Sequence, residues 1–360
     1  MLLSIGVVSA DDLRKQEFTK KISKEYTINK DGKVELSNKY GKIDVKTNNS
    51  NMVVIDIEIR VDAKNEDVAN DAFERVKIDF MSNSDYVKAS TSLESQKGWN
   101  NWWGNKNYNL QINYEVSLPK TVELDVSNKY GDVYVTDLEN DLDLEVKYGK
   151  FYVNSAYDIQ LEAKYGSGDI ESCKNIVADL GYVSGSGLSI EKCDKAEIDS
   201  KYSKINIKSA ESIRSDAGYD NFNIGKVEDF RLEGNYNKIE IEDIVNLNVD
   251  SRYTNIAVED FRGYADIEMG YGGLDIYTVH AGFKGINVDS NYGAVKLRMS
   301  TDASYAVDIT TDYAGIEYPD NLDIKIRDYG NKTKMLEGTF GSNPTGTIKI
   351  VSDYGSVKIR

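Results

Sequence analysis

The chain has 360 residues and a formal net charge of −16, with 60 acidic against 44 basic side chains. That balance argues against nucleic acid or an anionic membrane surface as a partner, because both select basic patches. The single histidine leaves no His-rich metal site and at most one place for a Ser-His-Asp arrangement.

Residues 1–10, "MLLSIGVVSA", form a short apolar stretch ending in Val-Ser-Ala before two aspartates. This resembles the end of a secretory signal peptide without its basic n-region, and no Cys follows for lipid attachment. No run approaches the roughly 18 apolar residues of a membrane span, so no membrane insertion is expected. Residues 11–25 read as a linker. Residues 26–46 read as a first coil, carrying "VELSNKYGKIDV" at 34–45.

Residues 47–121 read as an insertion. "NMVVIDIEIRVDA", "RVKIDFMS", "DYVKASTSLE" and "YNLQINYEVSLP" alternate as strands, and "NEDVANDAFERV" (65–76) has helical spacing. Val68, Ala72, Phe73 and Val76 form its apolar face, with Asn65 as the N-cap. The expectation is a small antiparallel sheet with one helix, capping the N-terminal end of a repeat array.

Between two of these strands lies "QKGWNNWWGNKN" (96–107), which holds the chain's three tryptophans, Trp99, Trp102 and Trp103. Two readings stand. The rings fold back and seal the first coils, because a cap needs apolar bulk. Alternatively they stack on sugar faces or on a partner protein, with the flanking asparagines supplying polar contacts. They are the candidate partner or glycan contact.

Residues 122–360 repeat. Equivalent tyrosines fall at Tyr40, Tyr130, Tyr148, Tyr165, Tyr182, Tyr202, Tyr219, Tyr236, Tyr253, Tyr271, Tyr292, Tyr313, Tyr329 and Tyr354, 14 of the 25 in the chain. From Tyr130 to Tyr313 they recur every 17 to 21 residues, often followed by glycine. Between them, two-residue alternation marks strands and three-residue steps mark corners, as in Ile239, Ile241, Ile244, Leu247 and Val249. A coil this short cannot bury its apolar side alone, but stacked coils can. The fold class expected is therefore all-β: a single-stranded parallel β-solenoid of 17–21 residues per coil, with the antiparallel sheet and helix inserted near its N-terminus. Right-handed winding is the default for parallel crossovers. The tyrosines share the facing of the apolar residues before them, so a buried ladder is expected, with glycine making the bend. Cys173 and Cys193 fall at one core position of adjacent coils, close enough to consider a disulfide, but parallel in-register neighbours point their Cβ vectors the same way, which favours free buried thiols. The stretch "GNKTKMLEGTFGSNPTGT" after Tyr329 reads as a loop folding over the far end.

The "INYEVSLPK…LDVSNKYGDVYV" run and the Asn-Lys-Tyr-Gly coils resemble the adhesin-like β-strand-repeat family of bacterial envelope proteins. The resemblance covers about residues 26 to 360. It implies an exported protein, secreted or held in the periplasm or envelope of a Gram-negative bacterium, non-enzymatic, with no catalytic residues to carry over. The expected partner is an unknown envelope protein or glycan. No cofactor is expected, because the sequence has no phosphate-cradling glycine motif and no CxxC. The rival class is a polysaccharide-acting or glycan-binding β-helix. A concave cluster of outward carboxylates with an aromatic wall discriminates the two.

Overall fold

A computed structural model describes residues 15–94 and 108–360. The leader-like segment and Trp99, Trp102 and Trp103 lie outside the described residues. The chain divides into two compact units, Met1–Phe151 and Tyr152–Arg360.

The first unit is built on the two strands of one coil. β1 (Gln16–Thr27) precedes β2 (Lys33–Lys39) and β3 (Ile43–Asn48), which flank the Tyr40-Gly41 bend. β4 (Met52–Ala63), α1 (Glu66–Arg75), β5 (Val76–Ser82), β6 (Tyr86–Leu93) and β7 (Tyr108–Pro119) follow, and β8 (Glu123–Lys129), β9 (Val133–Asp137) and β10 (Leu142–Lys147) continue the coils. β8 pairs in parallel with β2, Lys33 opposite Glu123 and Lys39 opposite Lys129, while β9 pairs with β3. Ninety residues apart in sequence, the two Asn-Lys-Tyr-Gly motifs are thus adjacent rungs.

On its other side β2 pairs with β6 and β3 with β7, again in parallel. Antiparallel strands then extend both layers: β5 on β6, β4 on β7, and β1 on β4. α1 closes the space between them. The Asn65 side chain accepts from the Val68 N–H, and Ala69 and Ala72 pack on Val61 and Ala63, with Val68 and Phe73 at the margin. The stretch read as a linker is mostly β1. Its alternation is hidden because Lys20 and Lys24 interrupt the face of Phe18, Ile22 and Tyr26; the Lys24 ammonium lies 5.8 Å over the Phe80 ring.

The second unit is a parallel β-solenoid. β11 (Lys150–Lys164), β12 (Ser167–Gly181), β13 (Leu188–Lys201), β14 (Lys204–Gly218), β15 (Asn221–Asn235), β16 (Lys238–Arg252) and β17 (Thr254–Met269) each run through two corners before the next tyrosine. Pairing is in register: Ile190, Ile207, Ile224, Ile241 and Val258 stand opposite one another from β13 to β17, all buried. Each such side chain removed from water contributes about 1.5–3 kcal/mol, and this stack is the core. The three-residue steps at Ala210, Val227 and Ile244 are the corners, where two outward residues separate inward ones.

The far end departs from chain order. β18 (Gly272–Val279) and β19 (Gly285–Asn291) form one coil, both paired in parallel with β17, followed by β20 (Gly293–Met299), β21 (Tyr305–Asp312) and β22 (Ile316–Glu317). β23 (Asp323–Tyr329) and β24 (Thr333–Phe340) come next, then β25 (Gly346–Asp353) and β26 (Val357–Ile359). The last coil is not last in space. β25 lies between β19 and β21, and β26 between β20 and β22, all parallel. The expected terminal loop is instead largely β24, which pairs antiparallel with β21 and carries β23 on its outer edge.

Candidate functional site

Each ladder tyrosine sits at the turn between two strands, and twelve of them have φ between +55° and +64°. At those twelve turns the tyrosine takes the left-handed conformation; at Tyr271 the positive φ, +142°, falls on Gly272 instead. That turn swings the ring outward although the residues before it face inward. In the second unit the rings run Tyr165, Tyr182, Tyr202, Tyr219, Tyr236, Tyr253, Tyr271, Tyr292, Tyr354, Tyr313. Their centroids are 4.6–5.1 Å apart and their planes within 3–12°. These rings are 45–57% exposed, so the buried ladder expected from the sequence is corrected to an exposed one. Tyr354 separates Tyr292 from Tyr313. Tyr329 is off the ladder on β23, with the Arg327 guanidinium 4.8 Å over its ring. The first unit has the same stack through Tyr40, Tyr130 and Tyr148.

Glycine after tyrosine answers a different need. A Cβ on Gly131 would lie 1.9 Å from the Gly41 carbonyl oxygen of the neighbouring coil. In the middle coils Ser203, Asp220, Asn237 and Thr254 take that position and are buried. Each is tied to the coil before it: Ser203 N–H donates to Asp220 Oδ1 (2.6 Å), Asp220 N–H to Asn237 Oδ1 (3.0 Å) and Asn237 N–H to Thr254 Oγ1 (3.1 Å). Burial pushes the Asp220 carboxyl up, against donors from Ser203, Ser200 and Gly218 that hold it down in part.

The face that follows each tyrosine bears a trough of about 640 Å³ on β13–β18. Two rows of side chains line it: Ser189, Asn206, Asn223, Glu240 and Ala257, and Glu191, Lys208, Gly225, Glu242 and Glu259, the second row ending at Tyr277. The depression exists because Gly225 and Ala257 stand where neighbouring coils carry long polar side chains. Asn223 Nδ2 donates to Asn206 Oδ1 at 2.9 Å across its floor. Lys208 pairs with Glu191 (2.5 Å) and Lys238 with Glu240 (2.6 Å), while Arg298 stacks 4.4 Å over Tyr277. A second hollow of about 200 Å³ continues past Ala257 over Gly273 and Ala294. Carboxylates, amides and a ring edge suit a ligand rich in hydroxyls. Glu240, Glu242 and Glu259 are exposed.

Three other features compete. His280 Nε2 lies 2.6 Å from Asp260 Oδ1, but among the described residues no hydroxyl nucleophile is bonded to the ring. Asp179, Asp199, Asp216, Glu233, Asp250, Glu268 and Asp289 stand in register along the other face. They follow a line rather than surround a point, and among the described residues no three His, Cys, Asp or Glu are grouped to hold a metal ion. Cys173 and Cys193 are free and buried; the neighbouring thiol and burial push Cys173 up. The sequence reading missed the trough, although small residues at two coils in place of long polar ones were a visible signal.

Solenoid and trough make a β-repeat protein whose fold fits a structural or interaction module. The Toastrack DUF4097 family model matches residues 152–360, the whole of the second unit, and the chain belongs to that family. The chain is also similar to solved structures described as a candidate cell adhesion protein from Clostridium sporogenes and candidate adhesins from Bacteroides fragilis and Parabacteroides merdae. The first shares 10% identity over 94% of this chain and 99% of its own, with a TM-score of 0.18. The second shares 11% over 95% and 97%, at 0.27, and the third 14% over 77% and 96%, at 0.31. No curated protein matches the chain. No helix among the described residues is long and apolar enough to cross a membrane.

Proposed function

We infer that the chain is a non-catalytic, adhesin-like interaction module that binds a glycan along the trough of its second unit. The observation that carries this reading is the trough itself: side-chain amides and carboxylates in two rows, over a floor opened by Gly225 and Ala257. Such groups accept and donate to sugar hydroxyls, and a rigid scaffold holds them without ordering cost at binding. A place outside the cytoplasm belongs to the same reading; the segment ending in Val-Ser-Ala supports it. The test is a screen of the full chain against immobilised oligosaccharides and envelope proteins, run beside two variants. Ala257→Trp fills the trough from a partly exposed position, and Trp99→Ala/Trp102→Ala/Trp103→Ala removes the three tryptophan side chains. Hits abolished by Ala257→Trp and retained by the tryptophan variant support the trough. The opposite pattern transfers the contact to the tryptophans, and hits unaffected by both remove the reading.

A further inference from the structure

The ladder's ring faces cover one another, so the rungs cannot stack on a sugar or planar ligand except at the two ends. What they offer to solvent is a row of phenol edges and hydroxyls, each half exposed and each beside an identical group. The tightest and most parallel rungs are Tyr219–Tyr236 at 4.6 Å and 4°, Tyr236–Tyr253 at 4.7 Å and 3°, and Tyr292–Tyr354 at 4.7 Å and 3°. Phenols held side by side at this distance share two properties. Each can be reached by an oxidant from the solvent side, and a radical on one ring meets a second ring before it meets another molecule.

We propose that the tyrosine ladder is an oxidative modification site, at which a haem peroxidase with hydrogen peroxide joins neighbouring rungs as dityrosine. Two phenols each lose one electron to the ferryl haem and one hydroxyl proton to water, giving two phenoxyl radicals with spin on the carbons ortho to oxygen. The radicals couple through one new Cε–Cε bond. The hydrogens displaced from those two carbons return to the two oxygens through solvent, restoring both aromatic rings. Overall the pair loses two electrons and two protons, and the peroxide takes them up to become two waters.

Forming this bond requires two neighbouring rings to leave the stack and meet edge to edge, a movement open to them on the solvent side, where these residues are 46–52% exposed. The in-register parallel pairing of the flanking strands holds neighbouring rungs one coil apart, so the link joins adjacent coils and not distant ones. Each link adds a covalent tie across a ladder otherwise held by hydrogen bonds such as Tyr236 N–H to the Arg252 carbonyl (2.8 Å).

The experiment treats the full chain at low concentration with haem peroxidase and hydrogen peroxide, then maps cross-linked peptides by mass spectrometry. Tyr152, Tyr157, Tyr264 and Tyr277 are 39–48% exposed outside the ladder and act as internal controls. The expected result is intramolecular links, each a loss of two hydrogens, concentrated at Tyr219–Tyr236, Tyr236–Tyr253 and Tyr292–Tyr354. Tyr236→Phe keeps the stack and should lose the first two links while retaining the third. Links spread evenly over off-ladder tyrosines, links chiefly between molecules, or a Tyr236→Phe pattern unchanged from the parent would each overturn the proposal.

Discussion

Asn237 and Gly234 converge on one carbonyl. Asn237 Nδ2 donates to the Ala217 oxygen at 3.1 Å, and a Cβ on Gly234 would stand 1.9 Å from that same oxygen. In several turns the residue two before the tyrosine and the residue after it divide the inward space unequally, although Leu180 and Val183 are both buried beside Tyr182. Gly234 goes with Asn237 and Ala217 with Asp220, whereas Asn128 goes with Gly131 and Met269 with Gly272. In these four turns a large inward side chain on one side accompanies a small one on the other.

Gly234→Ala therefore breaks the turn twice, through the contact with Ala217 and through a φ of +146° that L side chains avoid. The expected cost is about 3 kcal/mol. Chemical denaturation of the variant beside the parent measures it, and an unchanged midpoint would mean that the turn has slack.

Tyr236 is 46% exposed with a ring on each side, so it contributes stacking rather than burial. Tyr236→Ala should cost about 1–3 kcal/mol, two aromatic contacts at about 0.5–1.5 kcal/mol each. Tyr236→Phe should be close to neutral, because the hydroxyl is in water. A loss for Phe equal to that for Ala would assign the effect to the hydroxyl.

Asp220 sets a pH dependence whose sign follows from its raised carboxyl. At low pH both folded and unfolded chains hold the proton. As pH rises past the unfolded carboxylate value of about 3.9, the unfolded chain releases it first, so stability contributed by this group falls until the raised folded value is passed. Asp220→Asn removes the titration, although it loses the bond from the Gly218 N–H. The stability of the parent minus that of the variant should fall as pH rises from about 4. A flat difference would place the carboxylate in water, and one that rises with pH would mean that its donors outweigh burial.

Much of this fold is legible because the solenoid is local in sequence. Each coil repeats its alternation, the corners appear as three-residue steps, and Asn65 marks the start of α1 one residue before Glu66. The tyrosine's exposure is not legible. Alternation puts the ring inward, and only the left-handed backbone at the tyrosine itself turns it out. The order of the last coils is hidden for another reason: β25 enters between β19 and β21 through pairings that span up to about 60 residues, and no periodicity encodes them. β1 escaped because its two lysines mask the pattern. The trough depends on which coils carry Gly225 and Ala257, a difference between repeats that a search for sameness passes over.

The two thiols test the inner packing. Cys173 and Cys193 are both buried on adjacent coils, so a thiol reagent should find neither in the native chain and both after denaturation under non-oxidising conditions. Fast native labelling would show that β12 and β13 open at that corner, and no labelling after denaturation would mean a disulfide.

The account centres on the trough as the binding surface, and hydrogen–deuterium exchange with a bound oligosaccharide tests that most directly. Binding should slow exchange in peptides covering 189–191, 206–208, 223–225, 240–242 and 257–259, five segments far apart in sequence that meet only on this face. Protection confined to residues 95–107, or to the acidic row through Asp216 and Asp250, would contradict it.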